Sequence, residues 1–279
     1  TLDMVNIYAG YVAGALPALE VQALWGMASD WESSYMILTD VAPEVDQIIL
    51  DATGGSPVLN RNWFAGADQW FFGNRPLQSV EAFEGLKIRT HGGAITDFIT
   101  GMGAEGVFLG FGELYQALEL DQIDAAATGI LLAIPDRLYE VSSYMAGPVI
   151  GFGYTNNVIN KDVWNKIPED LQQILIEEGA KAELEALRLA PFQNVVALQI
   201  HQQLGVQPVP FSEEIIRHIR TVVFPEHVFP GWLRRLGYPE RNQEIVDIAN
   251  EKISPYTGLW VEPDGSIRQV PVTKGPFAP

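Results

Sequence analysis

The chain has 279 residues, of which 47% are hydrophobic, and its net charge is −18 at pH 7. This length and composition predict a globular protein of one or two domains. The acidic excess argues against nucleic-acid binding, which needs stripes of Lys and Arg, and the absence of cysteine excludes disulfides and thiolate metal sites.

The first residues and the apolar runs bear on location. The start, "TLDMVNIYAG", lacks the basic region, apolar region and cleavage site of a secretory signal. No apolar run has the length of a transmembrane helix. The sequence therefore predicts a soluble chain that is mature or truncated.

The first half of the chain changes from isolated elements to a regular alternation. A strand is predicted at 2–10, helical spacing covers 30–39 and 42–55, and strands are predicted at 57–64 and 67–72. From Leu86 onward, short strands alternate with short helices, which predicts an α/β fold with a mostly parallel sheet covered on both faces. These elements are strand 86–90, helix 94–101, strand 106–109, helix 112–120, strand 122–126 and helix 130–139.

The second half contains one long helix. Pro168 is expected at its first position, and Pro191 is expected to kink or interrupt it. The apolar face predicted for this helix consists of Leu171, Ile174, Leu175, Ala182 and Leu187. The elements around it are strands at 144–151, 153–160 and 206–211, helices near 212–224 and 239–253, and a Pro- and Gly-containing tail at 255–279.

Motifs for catalysis, metals and nucleotides are missing or misplaced. "GMGAEG" (101–106) matches G-x-G-x-x-G, but a predicted helix precedes it and a strand follows, which is the reverse of a dinucleotide site and favours a helix C-cap. The four histidines form no H-E-x-x-H pair, so each is interpreted as a surface or hydrogen-bonded histidine. With no G-x-S-x-G motif either, we predict no catalytic residue, no metal, no cofactor and no enzyme.

The stretch "GLKIRTHGGAITD" (85–97) carries the main functional candidate. Arg89 lies near the end of a predicted strand, before two glycines and a helix start, a combination that suits an anion. The alternative is that Arg89 pairs with an internal carboxylate or lies along a sheet edge, and these residues leave both open. Aromatic residues at strand ends, such as Tyr8, Phe111 and Phe152, are typical of ligand crevices but also of cores.

Three motifs together identify a resemblance. "PLQSVEAFEGLKIRTHGG", "GFGELYQALELDQIDAA" and "NKDVWNKIPEDLQQIL", in this order and spacing, resemble the extracytoplasmic solute-binding proteins of tripartite ATP-independent periplasmic (TRAP) transporters of the DctP type. The likeness covers residues 1 to about 200. It implies a periplasmic protein with its signal peptide removed, which binds a small organic acid anion and delivers it to the membrane permease subunits.

The resemblance also implies the architecture. Members have a two-lobe, periplasmic-binding-protein-like α/β fold with mostly parallel sheets and a long helix between the lobes. We expect lobe I at 1–66 plus 154–193 and lobe II at 67–153 plus 194–279.

Site residues follow from the same resemblance. Arg89 corresponds to the family arginine that pairs with the ligand carboxylate, and Phe111 to a pocket aromatic. Thr128 falls where many members carry an asparagine. Tyr8 and Phe152 occupy positions that often face the ligand.

Two departures from the sialic-acid-binding members concern the ligand. Gln69 stands where those members have a second arginine, and "DAAATG" (124–129) replaces their "DGQENP". A smaller or less polar carboxylate than sialic acid is therefore expected.

A third departure concerns the start. Members have a strand, a helix and a second strand before the segment that "TLDMVNIYAG" resembles, so lobe I is expected to lack them in this chain. An incomplete sheet exposes an edge that can pair with another chain. The alternative function is therefore a solute-binding fold reused as a docking or structural subunit of a membrane complex, with its partner at the lobe I edge or at the 255–279 tail.

Overall fold

Two separate β-sheets form the framework of the chain. The computed structural model describes residues 2–28, 30–63, 68–149 and 154–275. The strands are β1 (Met4–Tyr8), β2 (Val58–Asn62), β3 (Gln69–Gly73), β4 (Lys87–Thr90), β5 (Glu105–Phe108), β6 (Ala125–Gly129), β7 (Tyr144–Val149), β8 (Thr155–Ile159), β9 (Gln207–Pro210), β10 (Leu259–Val261) and β11 (Ile267–Gln269).

The larger sheet has the strand order β5-β4-β6-β3-β7-β9. Strand β4 is parallel to β5 and β6, and β7 is parallel to β9, whereas β3 is antiparallel to β6 and β7. This sheet confirms the predicted α/β class with a mostly parallel central sheet.

The smaller sheet has the order β1-β8-β2, and both pairings are antiparallel. The reason is the route of the chain. It leaves this sheet at the ends of β1 and β2, Tyr8 and Asn62, and returns at Thr155, which pairs with both.

The helices cover both sheets. They are α1 (Ala9–Val12), α2 (Trp31–Ala52), α3 (Gly93–Gly101), α4 (Leu114–Glu119), α5 (Lys161–Trp164), α6 (Glu169–Gln203), α7 (Glu213–His218), α8 (Phe229–Leu236), α9 (Gln243–Ile248) and α10 (Ser254–Thr257). Turns of 3₁₀ helix occupy Pro17–Gln22, Glu81–Phe83, Phe111–Glu113 and Leu138–Glu140, and wider π-helical turns occupy Ile219–Val228 and Ala249–Ile253. Within the described ranges, every helix is too short or too polar to cross a bilayer.

Of two helix predictions in the first half, one was confirmed and one was wrong. The helical spacing predicted over 30–39 and 42–55 is confirmed by the single helix α2, which begins after the N-cap Asp30 and continues through Pro43. The helix expected at 130–139 is a series of turns, because Pro135 lacks an N–H group and Arg137 adopts a left-handed conformation with φ 56°.

The long helix α6 also departs from expectation. It runs without interruption through Pro191, so the predicted interruption was wrong, and Pro168 is its N-cap. The predicted apolar face is largely exposed, with Leu171 46% and Ile174 51% exposed. The reason is that packing is concentrated in the second half of the helix, where Ala186, Ala190, Asn194, Ala197 and His201 are buried.

The C-terminal segment is folded onto the rest of the chain. Trp232 Nε1 donates to Pro17 O at 3.0 Å, and the Tyr256 hydroxyl and Lys274 Nζ both donate to Asp40 Oδ2 at 2.9 Å. Part of the predicted tail forms the β10–β11 hairpin. The segment therefore contacts elements near the start of the chain, and the division into lobes stays a prediction.

A buried ion-pair network joins this segment to α3. Glu20, 1% exposed, accepts from Arg235 Nε at 2.8 Å and from the backbone N–H of Ala94 at 2.8 Å. Arg235 also pairs with Asp97. A side chain at Gly93 would place its Cβ 2.4 Å from Arg235 Nε, so this glycine leaves space for the guanidinium.

We predict that Arg235→Ala lowers the free energy of unfolding by about 3 kcal/mol, because it leaves the Glu20 carboxylate buried without its cation. The matched control is Arg234→Ala, which removes an exposed arginine next in sequence and should change stability by less than about 0.5 kcal/mol. Urea denaturation of both variants measures the difference. Equal stabilities would contradict a structural role for the network.

Candidate functional site

A cavity of about 200 Å³ lies where the strand ends of the two sheets meet. The smaller sheet and the residues after it contribute Asn6, Tyr8, Tyr11 and Thr155. The larger sheet and its loops contribute Gln69, Arg89, His91, Phe111, Thr128, Gly129 and Leu132. Strand ends of α/β sheets are where ligand crevices form, so this cavity is the candidate site.

The strand registers explain why these side chains converge. Tyr8 ends β1 and pairs with Thr155 at the start of β8. In the larger sheet, Gln69 at the start of β3 pairs with Gly129 at the end of β6. The ends of both pairs therefore point toward the same gap.

Arg89 is the most buried charged group of the cavity, with 1% of its surface exposed. Its Nε donates to Leu109 O at 3.1 Å, and its Nη1 donates to Ala127 O at 2.9 Å. Nη2 is buried and has no hydrogen-bonding partner among the residues that the structure describes. Since a guanidinium has five N–H donors, these two hydrogen bonds leave one on Nη1 and both on Nη2 without a carbonyl acceptor.

The alternative interpretations of Arg89 are not supported. In the described part of the chain, it forms no ion pair with a carboxylate. It is not at an edge either, because β4 lies between β5 and β6. Burial lowers the pKa of Arg89, and nearby Tyr11, Tyr8 and Asp136 counteract this effect. An arginine nevertheless remains charged at physiological pH.

The two glycines after Arg89 serve the protein backbone. A Cβ on Gly92 would lie 2.8 Å from the Cα of Gly10, so Gly92 allows the turn after β4 to touch the segment after β1. The first turn of α3 is also occupied, because the N–H of Ala94 donates to Glu20. The glycines and the helix start are therefore no longer expected to bind the anion. Arg89 alone provides the positive charge.

His91 is the main residue that the sequence analysis misjudged. It is 5% exposed and lines the cavity, and its Nδ1 has no hydrogen-bonding partner. Its ring lies 5.2 Å from that of Tyr8 and 5.7 Å from that of Trp25. Burial, assisted by the charge of Arg89, lowers the pKa of His91 to about 3, so the ring is neutral at physiological pH.

The remaining walls combine polar and apolar groups. Gln69 and Thr128 are buried at the ends of β3 and β6. The hydroxyl of Thr155 is buried without a partner. Phe111, in the turn after β5, and Leu132 supply apolar surface. The lining therefore offers one permanent cation and several neutral polar groups.

Five of the six predicted site residues lie in this cavity: Arg89, Gln69, Phe111, Thr128 and Tyr8. Phe152 falls outside the described residues. Sequence reasoning missed Asn6, Tyr11, His91, Gly129, Leu132 and Thr155. The available signal was proximity for Gly129, which directly follows the predicted site residue Thr128.

No cluster for a metal ion is found among the described residues, where His, Asp and Glu nowhere gather in groups of three or more that could hold one. His201, for example, is buried on α6 with its Nε2 2.9 Å from Ile130 O. That histidine is hydrogen-bonded, as the sequence analysis expected.

Comparison with known proteins gives a family match. Residues 2–228 match the model of "Bacterial extracellular solute-binding protein, family 7", the DctP family. A solute-binding protein of Albidiferax ferrireducens is 26% identical over 220 residues, which cover 77% of this chain and 64% of the relative. The matched region thus spans less than two thirds of that relative's length.

Solved structures share the fold. An extracytoplasmic solute receptor of Bordetella pertussis, which binds pyroglutamic acid, has a TM-score of 0.78 at 15% identity, over 88% of this chain and 79% of its own. A TRAP periplasmic solute-binding protein of Desulfovibrio salexigens, with bound orotic acid, has a TM-score of 0.77 at 18% identity. The match covers 90% of this chain and 79% of that protein's chain. These likenesses support the two-lobe α/β class.

The depressed pKa of His91 predicts a dependence of stability on pH. Below about pH 6.5 the unfolded chain binds the imidazole proton, whereas the folded chain binds it only near pH 3. The contribution of neutral His91 to folding stability is therefore complete above about pH 6.5 and is lost as pH falls toward 3. Between pH 7 and pH 5, His91 should account for about 2 kcal/mol of lost stability. Urea denaturation at both pH values should show this loss in wild type and a correspondingly smaller loss in His91→Leu. Identical pH dependence in the two proteins would contradict a neutral, buried His91.

Proposed function

This chain belongs to the DctP family of bacterial extracellular solute-binding proteins, and on that premise we propose that it captures a small organic monocarboxylate through Arg89 and delivers it to a TRAP membrane permease. Family members and the structural neighbours are solute receptors and not enzymes. The family is extracytoplasmic, and the Desulfovibrio neighbour is named periplasmic.

The observation that carries the proposal is the unpartnered Nη2 of a buried Arg89. A buried charge without a counterion is unfavourable unless a ligand supplies one. The N–H donors left on Nη1 and Nη2 match the two oxygens of a carboxylate. Such a bidentate pair neutralises the charge of the ligand and also fixes its orientation. Lysine would offer only a point charge.

The rest of the lining favours a small monocarboxylate, such as a keto or hydroxy acid. Arg89 is the one permanently charged side chain among the described lining residues, so a second carboxylate would lack a cation. Gln69 and the unpartnered Thr155 hydroxyl suit neutral polar groups of the ligand. The acids bound by the Bordetella and Desulfovibrio neighbours, pyroglutamic and orotic acid, are themselves small monocarboxylates.

We predict that a thermal-shift screen of small acids, including pyroglutamate, orotate, lactate and pyruvate, identifies a stabilising ligand. At about 100 times its dissociation constant, a ligand adds roughly 2.7 kcal/mol of stability, which raises the melting temperature by several degrees. Arg89→Ala and Arg89→Lys should both lose this shift. Arg234→Ala, which like Arg89→Ala removes one positive charge but at an exposed position, should retain it.

A second measurement covers the case in which Arg89 variants do not fold. The amide of the stabilising acid, which lacks the negative charge, should give no shift with wild type. Equal shifts from acid and amide, or no shift from any acid, would refute the proposed capture through Arg89. Conversion of the acid, detected by mass spectrometry, would refute the receptor assignment.

Closure of the cavity is the second part of the proposal. The cavity lies between two sheets, so a ligand is fully enclosed only when the predicted lobes, 1–66 plus 154–193 and 67–153 plus 194–279, approach each other. The closed form would be the surface that the permease recognises.

Small-angle X-ray scattering tests this closure. Saturation with the acid identified by the screen should reduce the radius of gyration of the wild-type protein. The acid should leave the radius of Arg89→Lys unchanged. An unchanged radius in wild type that is saturated with ligand would contradict closure.

A second candidate function is docking to a membrane complex. It is favoured by apolar side chains that are exposed in the described structure, among them Met4 at 54%, Leu184 at 66% and Phe192 at 67%. Strand β1 is also an edge of the smaller sheet. Failure of every acid in the screen, together with co-purification with membrane subunits from the source organism, would favour this function.

A further inference from the structure

A second cavity, of about 230 Å³, lies beside the first. Its lining includes Trp31, Asp68, Trp70, Ile130, Asn194 and Leu198. Successive side chains of a strand point to opposite faces, so Asp68 and Trp70 line this cavity while Gln69 between them lines the first. The backbone N–H of Ile130 donates to Asp68 O at 3.0 Å and joins two of its walls.

Two buried polar groups without partners among the described residues belong to residues that line this largely apolar cavity. Trp70 is 5% exposed and Asn194 is 7% exposed, and both lie at the cavity. Within the described ranges, the indole N–H of Trp70 and the side-chain oxygen of Asn194 are buried without a hydrogen-bonding partner. Leaving such groups unpaired is unfavourable, so the pair indicates an occupant with a hydrogen-bond donor and an acceptor.

Asp68 determines the charge of that occupant. It forms no ion pair with a cationic side chain in the ranges that the structure describes. Burial alone raises the pKa of Asp68 to about 6, with no contribution from a charged neighbour. A cationic ligand would therefore stabilise the ionised form of the Asp68 carboxylate.

We propose that this second cavity binds a small organic ammonium ion that carries a hydroxyl or carbonyl group. The ammonium donates to the Asp68 carboxylate and to the Asn194 oxygen. The hydroxyl or carbonyl oxygen accepts from Trp70 Nε1. Apolar parts of the ligand pack against Trp31, Ile130 and Leu198, and tryptophan rings also attract cations.

Other occupants fit less well. An anion would meet Asp68 without any lining cation. A metal ion would find one carboxylate and mostly apolar walls, and the described residues contain no group of three or more metal-ligating side chains. The site is separate from the Arg89 cavity, and the inference holds whether or not an acid binds there.

Isothermal titration calorimetry with three probes tests the proposal on the full chain. The probes are 2-amino-1-phenylethanol, 2-phenylethylamine, which lacks the hydroxyl, and 1-phenyl-1,2-ethanediol, which lacks the charge. Wild type should bind the amino alcohol most tightly and the diol at least about tenfold more weakly, because the charged hydrogen bond is lost. This comparison needs no variant.

Variants assign the contacts. Asp68→Asn should weaken binding of the amino alcohol by at least about tenfold. The control Asp121→Asn should leave this binding unchanged, because Asp121 is exposed and its φ of 52° is also tolerated by asparagine. Trp70→Phe should abolish the preference for the amino alcohol over 2-phenylethylamine. Arg89→Lys should leave amine binding unchanged. No binding of any probe, equal binding of amine and diol, or unaltered binding in Asp68→Asn would each overturn the proposal.

Discussion

The structure of the candidate site depends on holding one guanidinium in the protein interior. Arg89 stays charged when buried, so its N–H groups require acceptors. The neighbouring segments provide two of them, the carbonyls of Ala127 on β6 and Leu109 after β5. Because β4 lies between β5 and β6, the parallel part of the larger sheet fixes the orientation of the Arg89 side chain, which lines the cavity.

The second constraint is the close contact between the ends of the two sheets. Gly10 and Gly92 touch through their backbones, and Gly93 makes room for Arg235. Glu20 connects these parts, since it accepts from both Ala94 at the start of α3 and Arg235 on α8. The same short stretch of sequence therefore positions Arg89 and the contact that forms the cavity.

The sequence predicted the parts of this site that depend on local pattern. Arg89 near a strand end, the glycines after it and the alternation from Leu86 onward are visible in single segments, and three spaced motifs identified the family. The role of His91 was not predictable, because its burial results from Tyr8 and Trp25, which are distant in sequence. Thr155 joins the site only through its pairing with Tyr8.

The errors in the helices have a similar cause. Periodicity placed an apolar face on Leu171 and Ile174, but burial depends on tertiary contacts, and the buried residues of α6 are instead Ala186, Ala190, Asn194, Ala197 and His201. The sequence of 130–139 suits a helix apart from Pro135, but the segment forms turns, and Arg137 among them is left-handed. Local helix propensity does not determine which residues tertiary contacts bury or where they end a helix.

The proposed role of Arg89 is tested most directly by a crystal structure of the chain with a bound monocarboxylate. The carboxylate should accept hydrogen bonds from Nη2 and Nη1 of Arg89, while Nε keeps its contact with Leu109 O and Nη1 its contact with Ala127 O. A carboxylate bound away from Arg89, or an Nη2 paired with a protein acceptor beside the occupied cavity, would contradict it.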